Sequence, residues 1–243
     1  MGIKKGLLAG FAALALSMTA QASEINVGGV VWDPDSGLDF TSNGNTYESF
    51  AGQVNDFVTG FGVITQFNGL GEAAFCPSCE LTYTFSLQLV SADFVQNTPL
   101  GDLFIFTFDN VVFDLWVDDS PDYNEAAPSL AAAQDGDNFL HMVNNGLLVG
   151  SAFDIFDPLS VNGSGSGYLD VMSGLAMNNF DTNTKKFGSD MSFTSSFQVA
   201  QLDVAGYPLF GSLDLAGDTI PEPSTIALFG LALMGFASRK KLS

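Results

Sequence analysis

Few residues in this chain are suited to chemistry, and they fall in short clusters. Cys76-Pro77-Ser78-Cys79 holds both cysteines of the sequence. A pair at this spacing can close a small disulfide loop, persist as a dithiol, or supply half of a zinc site. Zinc would need two more ligands, yet His141 is the sole histidine and no cysteine remains. Thioredoxin-like work needs the pair to open a helix in a βαβ setting, and the flanking residues do not read that way. A disulfide joining Cys76 and Cys79 is therefore the expectation, with a free dithiol as the alternative.

Three acidic stretches follow. Asp33, Asp35 and Asp39 lie within seven positions. Asp118, Asp119 and Asp122 precede Asn124 and Glu125, and Asp135-Gly136-Asp137-Asn138 forms a third group. Calcium takes six to eight oxygens from flexible carboxylates and carbonyls, which such loops can offer. None is an EF-hand, because the first has its glycine early and Gly44 stands where a bidentate glutamate belongs. Calcium is thus the one cofactor candidate, and a solvated acidic face is the competing reading. His141, between Leu140 and Met142, reads as a strand histidine. Asn162-Gly163-Ser164-Gly165-Ser166-Gly167 places glycine where a nucleophile elbow needs serine, so it reads as a flexible loop. Gly69-Leu70-Gly71-Glu72-Ala73-Ala74 matches a dinucleotide fingerprint by letters alone, with Phe75-Cys76-Pro77 after it where a helix should continue. Glycoside hydrolysis needs paired acids, and no spacing singles out a pair. Trp32, Trp116, Tyr47, Tyr123 and Tyr168 would offer faces to sugar rings if exposed together, and otherwise read as packing. No catalytic residue is assigned.

The elements that must position these groups are strands. Leu81–Leu89 alternates apolar and polar residues with period two, as a half-buried strand does. Leu103–Phe108 and Val111–Val117 are richer in apolar residues and read as central strands joined by a turn at Asp109-Asn110. Phe139–Val143 and Leu147–Val149 read as a hairpin around Asn144-Asn145-Gly146. Ile25–Val31, Gly62–Phe67, Tyr168–Met172, Met191–Val199 and Phe210–Leu215 complete the set, with one short helix around Ser129–Gln134. The expected fold is all-β, an antiparallel two-sheet sandwich of jelly-roll type, formed as one domain by residues 23–219. The chain's 23 phenylalanines and 47% apolar residues supply ample core and argue against disorder.

Charge narrows the partners. The chain has 7 basic and 27 acidic residues. All the basic residues but Lys185 and Lys186 lie in the terminal segments. Residues 23–219 therefore carry a strongly negative field, which excludes nucleic acid and anionic lipid as partners of this span.

The two ends read as addresses. Lys4, Lys5 and the apolar run Gly6–Leu16 precede Ala20-Gln21-Ala22, a signal peptide at residues 1–22 with cleavage after Ala22 by signal peptidase. Residues 220–243 hold Pro221-Glu222-Pro223-Ser224-Thr225, then the apolar run Ile226–Ala237, then Arg239, Lys240 and Lys241. The two prolines keep the first segment extended. Twelve helical residues would span about 18 Å, short for a permanent membrane helix, and the basic cluster fits a cytoplasmic stop. This order of features resembles the PEP-CTERM sorting signal of Gram-negative bacteria over roughly Pro221–Lys241. The resemblance implies export, transient anchoring in the inner membrane, processing by an exosortase, and delivery to the cell surface or extracellular matrix. It also implies a link to exopolysaccharide, biofilm or floc. The expected function is a non-enzymatic structural or adhesive surface protein; the alternative is an extracellular carbohydrate-binding module or glycan-active enzyme.

Overall fold

A computed structural model describes residues 24–36, 40–99, 101–153 and 160–220. The two targeting segments, with Ala20, Ala22, Pro221–Thr225 and Arg239–Lys241, lie outside the described residues, as does Asp39. The span Glu24–Pro221 forms one compact unit by itself. Its strands are β1 (Ile25–Val27), β2 (Val30–Trp32), β3 (Phe40–Glu48), β4 (Phe57–Phe67), β5 (Leu70–Gly71), β6 (Glu80–Thr98), β7 (Gly101–Asp118), β8 (Asp137–Asn144), β9 (Leu148–Phe153), β10 (Asn162–Ser173), β11 (Met191–Val199) and β12 (Leu209–Gly217). Two one-turn helices, α1 (Glu72–Phe75) and α2 (Met177–Phe180), join them.

The all-β antiparallel sandwich is present, and its layers are continuous. The ladder runs β11-β12-β3-β4-β6-β7-β8-β10, and β10 pairs back onto β11, closing the sheet. Around the ring, strands next in sequence are neighbours in space; this up-and-down order replaces the crossed connections of a jelly roll. A separate ribbon, β1–β2, turns at Gly28-Gly29, where positive φ values suit glycine.

Several expected elements are corrected. Asp109-Asn110 does not reverse the chain: both halves of β7 pair with β6, and Asn110 and Val111 together oppose Leu87 as a bulge. Asn110 takes the positive φ that a turn residue would, and the long strand absorbs it. The expected hairpin at Asn144-Asn145-Gly146 is a kink instead. β8 and β9 run end to end along β7 and β10, and the Asn144 side chain holds the kink to the bulge through Asp109 Oδ1 (2.8 Å) and the Val111 N–H (3.0 Å). The glycine-serine stretch is the start of β10 rather than a flexible loop. A side chain at Gly163 would strike Phe197 and Ala152, and one at Gly167 would strike Leu148, so glycine is what lets this strand close the ring. β3, with the polar run Thr41–Thr46, was not expected at all. Ser129–Gln134 forms a hydrogen-bonded turn in place of the expected helix. A helix does follow Gly71, contrary to the reading of that stretch, but it stops after one turn at Phe75.

The interior divides along the barrel axis. Near Glu24 and Ile220, Trp32 stacks on Phe180 at 5.2 Å and meets Phe67 at 6.0 Å and Phe139 at 6.3 Å. Tyr83, Phe113 and Phe85 continue the core inward, ring on ring. At the other end a second cluster, around Leu89, Phe104, Phe106, Ala152, Val161 and Leu209, surrounds open space.

Candidate functional site

The disulfide expectation fits the geometry. Cys76 and Cys79 are buried at disulfide distance, their Cα atoms 5.0 Å apart. The helix α1 ends at Cys76, so the pair closes a helix instead of opening one. The bridge packs beside Gly29, tying the segment before β6 to the β1–β2 ribbon.

The acidic loops come together only in part. Glu80 begins β6 and stands across the ladder from Asp118 at the end of β7. Asp122, four residues on, and Asp135, just before β8, bring the set to four carboxylates, one oxygen of each within 4.8 Å of all the others. Asp33, Asp35 and Asp119 are not members of this group. Glu80 is buried, and both its oxygens accept from the Tyr123 N–H (3.0 and 3.2 Å). Burial raises its carboxyl above the usual range, the backbone donors of Tyr123 and Asp122 lower it, and the charges of Asp122 and Asp118 raise it again. Burial and the same two charges also raise Asp135. A hard divalent cation would reverse this repulsion, and four carboxylates are the donor set it prefers. Asp118 and Asp122 were visible in the sequence as loop acids. Glu80 was missed because it sits in an alternating strand.

His141 faces Asp114 across the β7–β8 ladder, with Nδ1 2.7 Å from Asp114 Oδ1, which also accepts from Asn138 Nδ2. That is a strand cross-pair and lines neither of the cavities described below. The aromatic residues considered for sugar stacking are dispersed. Trp32 is core, Trp116 donates to Thr84 Oγ1 (3.0 Å), and Tyr168 meets Phe187. Tyr47 and Tyr123 pack with Phe61 under the acidic loop.

The outer wall holds a feature absent from the sequence reading. On five neighbouring strands, register aligns Ser151, Ser164, Ser196, Ser212 and Asn45 in one row across β9, β10, β11, β12 and β3. The adjoining row is Phe153, Asn162, Gln198, Phe210 and Tyr47. All of these but Tyr47 line a groove of about 540 Å³ walled by hydroxyls, amides and phenyl rings, with no charged residue among the lining. Ser196 and Ser212 hydroxyls share a hydrogen bond of 2.9 Å. Strand spacing sets the backbones of neighbouring residues in each row roughly 4.8 Å apart. The available signal was the period-two serines Ser164 and Ser166, once the stretch is taken as a strand.

The second cavity, about 260 Å³, lies inside the barrel at the end away from Glu24 and Ile220 and is lined mainly by phenylalanine, leucine and valine. Glu48, at the end of β3, is its one ionisable lining residue, and burial pushes its carboxyl up to about 8. Among the described residues no helix is long and apolar enough to cross a membrane.

Comparison with known families identifies the C-terminal segment. Residues 219–241 match the PEP-CTERM protein-sorting motif. The motif marks the chain for export across the inner membrane to the cell surface, with exosortase-dependent processing. No curated protein and no solved structure matches the chain.

Proposed function

We propose that the exported barrel is a non-catalytic structural or adhesive protein of the extracellular matrix that holds exopolysaccharide on its five-strand outer wall. The observation that carries this reading is the uncharged groove of serine, asparagine, glutamine and phenylalanine on a chain with a large excess of acidic residues. Neutral sugars are recognised by hydroxyl and amide hydrogen bonds together with apolar contact to ring faces, and the groove offers both. No lining residue is a carboxylate, and Glu125, which accepts from Asn45 Nδ2 at 2.8 Å, has no second acid beside it in the lining, so the reading is binding without cleavage. The sorting motif supplies the destination. A glycan array probed with the processed protein, repeated with Gln198→Ala and Phe210→Ala, tests it. Binding to neutral glycans that both substitutions weaken roughly tenfold is expected. Unchanged binding in the variants, or reducing ends released from any glycan, would overturn it.

A second reading is favoured by the convergence of Glu80, Asp118, Asp122 and Asp135: calcium bound there braces the loop between β7 and β8. Thermal melts with and without millimolar calcium decide it, and an unchanged midpoint dismisses the metal.

A further inference from the structure

The cavity inside the barrel is a different kind of site from the outer groove. Its walls come from β6, β7, β9 and β11, with Phe85, Leu89, Phe104, Phe106, Phe193 and Phe197 among the lining residues. Phe50, Val54 and Val149, all exposed, also line it and mark its mouth. At about 260 Å³ it exceeds the ~150 Å³ apolar cavity that suffices for benzene. A closed ring of eight strand positions is the size that encloses one small ligand.

Glu48 is the one ionisable side chain in this lining, which also holds Ser49, Gln53, Ser164, Ser166 and Ser195. β3 turns Ser42, Gly44, Thr46 and Glu48 inward, and Glu48 stands where the row reaches the cavity. It is 7% exposed, and burial alone sets its carboxyl, with no hydrogen bond lowering it. Burying such a group unpaired costs free energy that a leucine would not, so its presence asks for a partner from outside the chain. Burial keeps the carboxyl protonated at neutral pH, which makes it a hydrogen-bond donor. Lys185, one of the barrel's two lysines, is engaged elsewhere by Asp218 at 3.0 Å, and no cation lines the cavity to receive an anion.

We infer that this cavity binds a small uncharged apolar molecule with one carbonyl acceptor, its chain among the phenylalanines and its oxygen on the Glu48 carboxyl. The chemical class is that of a medium-chain ketone or ester. A fatty carboxylate is disfavoured because the site supplies no positive charge and lies in an acidic domain.

The test uses the processed protein recovered from the exporting cell. N-phenylnaphthylamine, a neutral fluorescent probe, is bound first and then displaced by methyl octyl ketone or by decanoate at neutral pH. One probe site is expected, with the ketone displacing at a concentration roughly tenfold below decanoate. Glu48→Leu should cost the ketone about tenfold while sparing the probe, the loss of one buried hydrogen bond. Glu48→Gln keeps a donor and should hold ketone affinity within about threefold. Ala152→Phe, which fills the interior, should abolish probe binding; if it does not fold, Phe106→Trp is the second filling variant. No probe binding to the folded wild type, equal displacement by decanoate, or probe binding that survives a folded filling variant would each overturn the inference.

Discussion

The two ends of the barrel draw on the same residue type to opposite effect. At the end that carries Glu24 and Ile220, Phe67, Phe75, Phe139 and Phe180 close around Trp32, with the disulfide and the β1–β2 ribbon beside them. At the other end Phe85, Phe104, Phe106 and Phe108 line a cavity with a buried carboxyl in its wall. Phenylalanine content alone therefore does not make a core. What differs is the plug: one end has a ribbon and two short helices to fill it, while the other has the β3–β4 connection at its mouth.

Truncation measures that contrast most strongly. Trp32→Ala should cost about 3–5 kcal/mol in urea unfolding, the range for a large aromatic removed from a packed core. Phe106→Ala should cost about half as much, because its ring already lacks partners on the cavity side. Equal costs would mean the two ends are packed alike.

Next in size is the pH dependence set by Glu48. Burial raises it from the ordinary 4.5 to about 8, so the folded state holds an extra proton between those limits. Stability from this group is full below about pH 4.5 and is lost as pH rises through 8. The decline should be about 3 kcal/mol from pH 5 to pH 8, and Glu48→Gln should remove most of it. A wild-type curve that rises over that window, with Glu48→Gln unchanged, would contradict the buried carboxyl. At the filled end, saturating calcium at a hundredfold over its dissociation constant should add about 2.7 kcal/mol, and Asp118→Asn with Asp122→Asn should abolish the gain. Smallest is the bridge: replacing Cys76 and Cys79 by serine should cost about 2 kcal/mol in thermal melts, since the loop it closes is short.

Much of the architecture was legible because period-two alternation marks half-buried strands, and Leu81–Leu89, Met191–Val199 and Phe210–Leu215 fall within β6, β11 and β12. What escaped were places where tertiary pairing overrode local signals. Asn110 and Gly146 carry turn chemistry, yet the partners β6, β7 and β10 absorb them as a bulge and a kink without reversing the chain. β3 lacks an apolar stripe because its inward residues Ser42, Gly44 and Thr46 are small, fitting beneath large rings such as Tyr83. Glu48 was invisible for the same reason, being one acid among 27 in a stretch with no apolar frame. The four-carboxylate group was half legible: sequence brings Asp118 and Asp122 together, but only the β6–β7 register adds Glu80.

The central claim is that the chain is trimmed at both ends and that its barrel resides with extracellular polysaccharide. Intact mass of the protein recovered from washed matrix, compared between cells with and without exosortase, tests it directly. The expected species begins at Ser23 and lacks Ile226–Ser243, and it leaves the matrix fraction when exosortase is removed. A full-length tail on protein held in the inner membrane of exosortase-bearing cells would contradict the account.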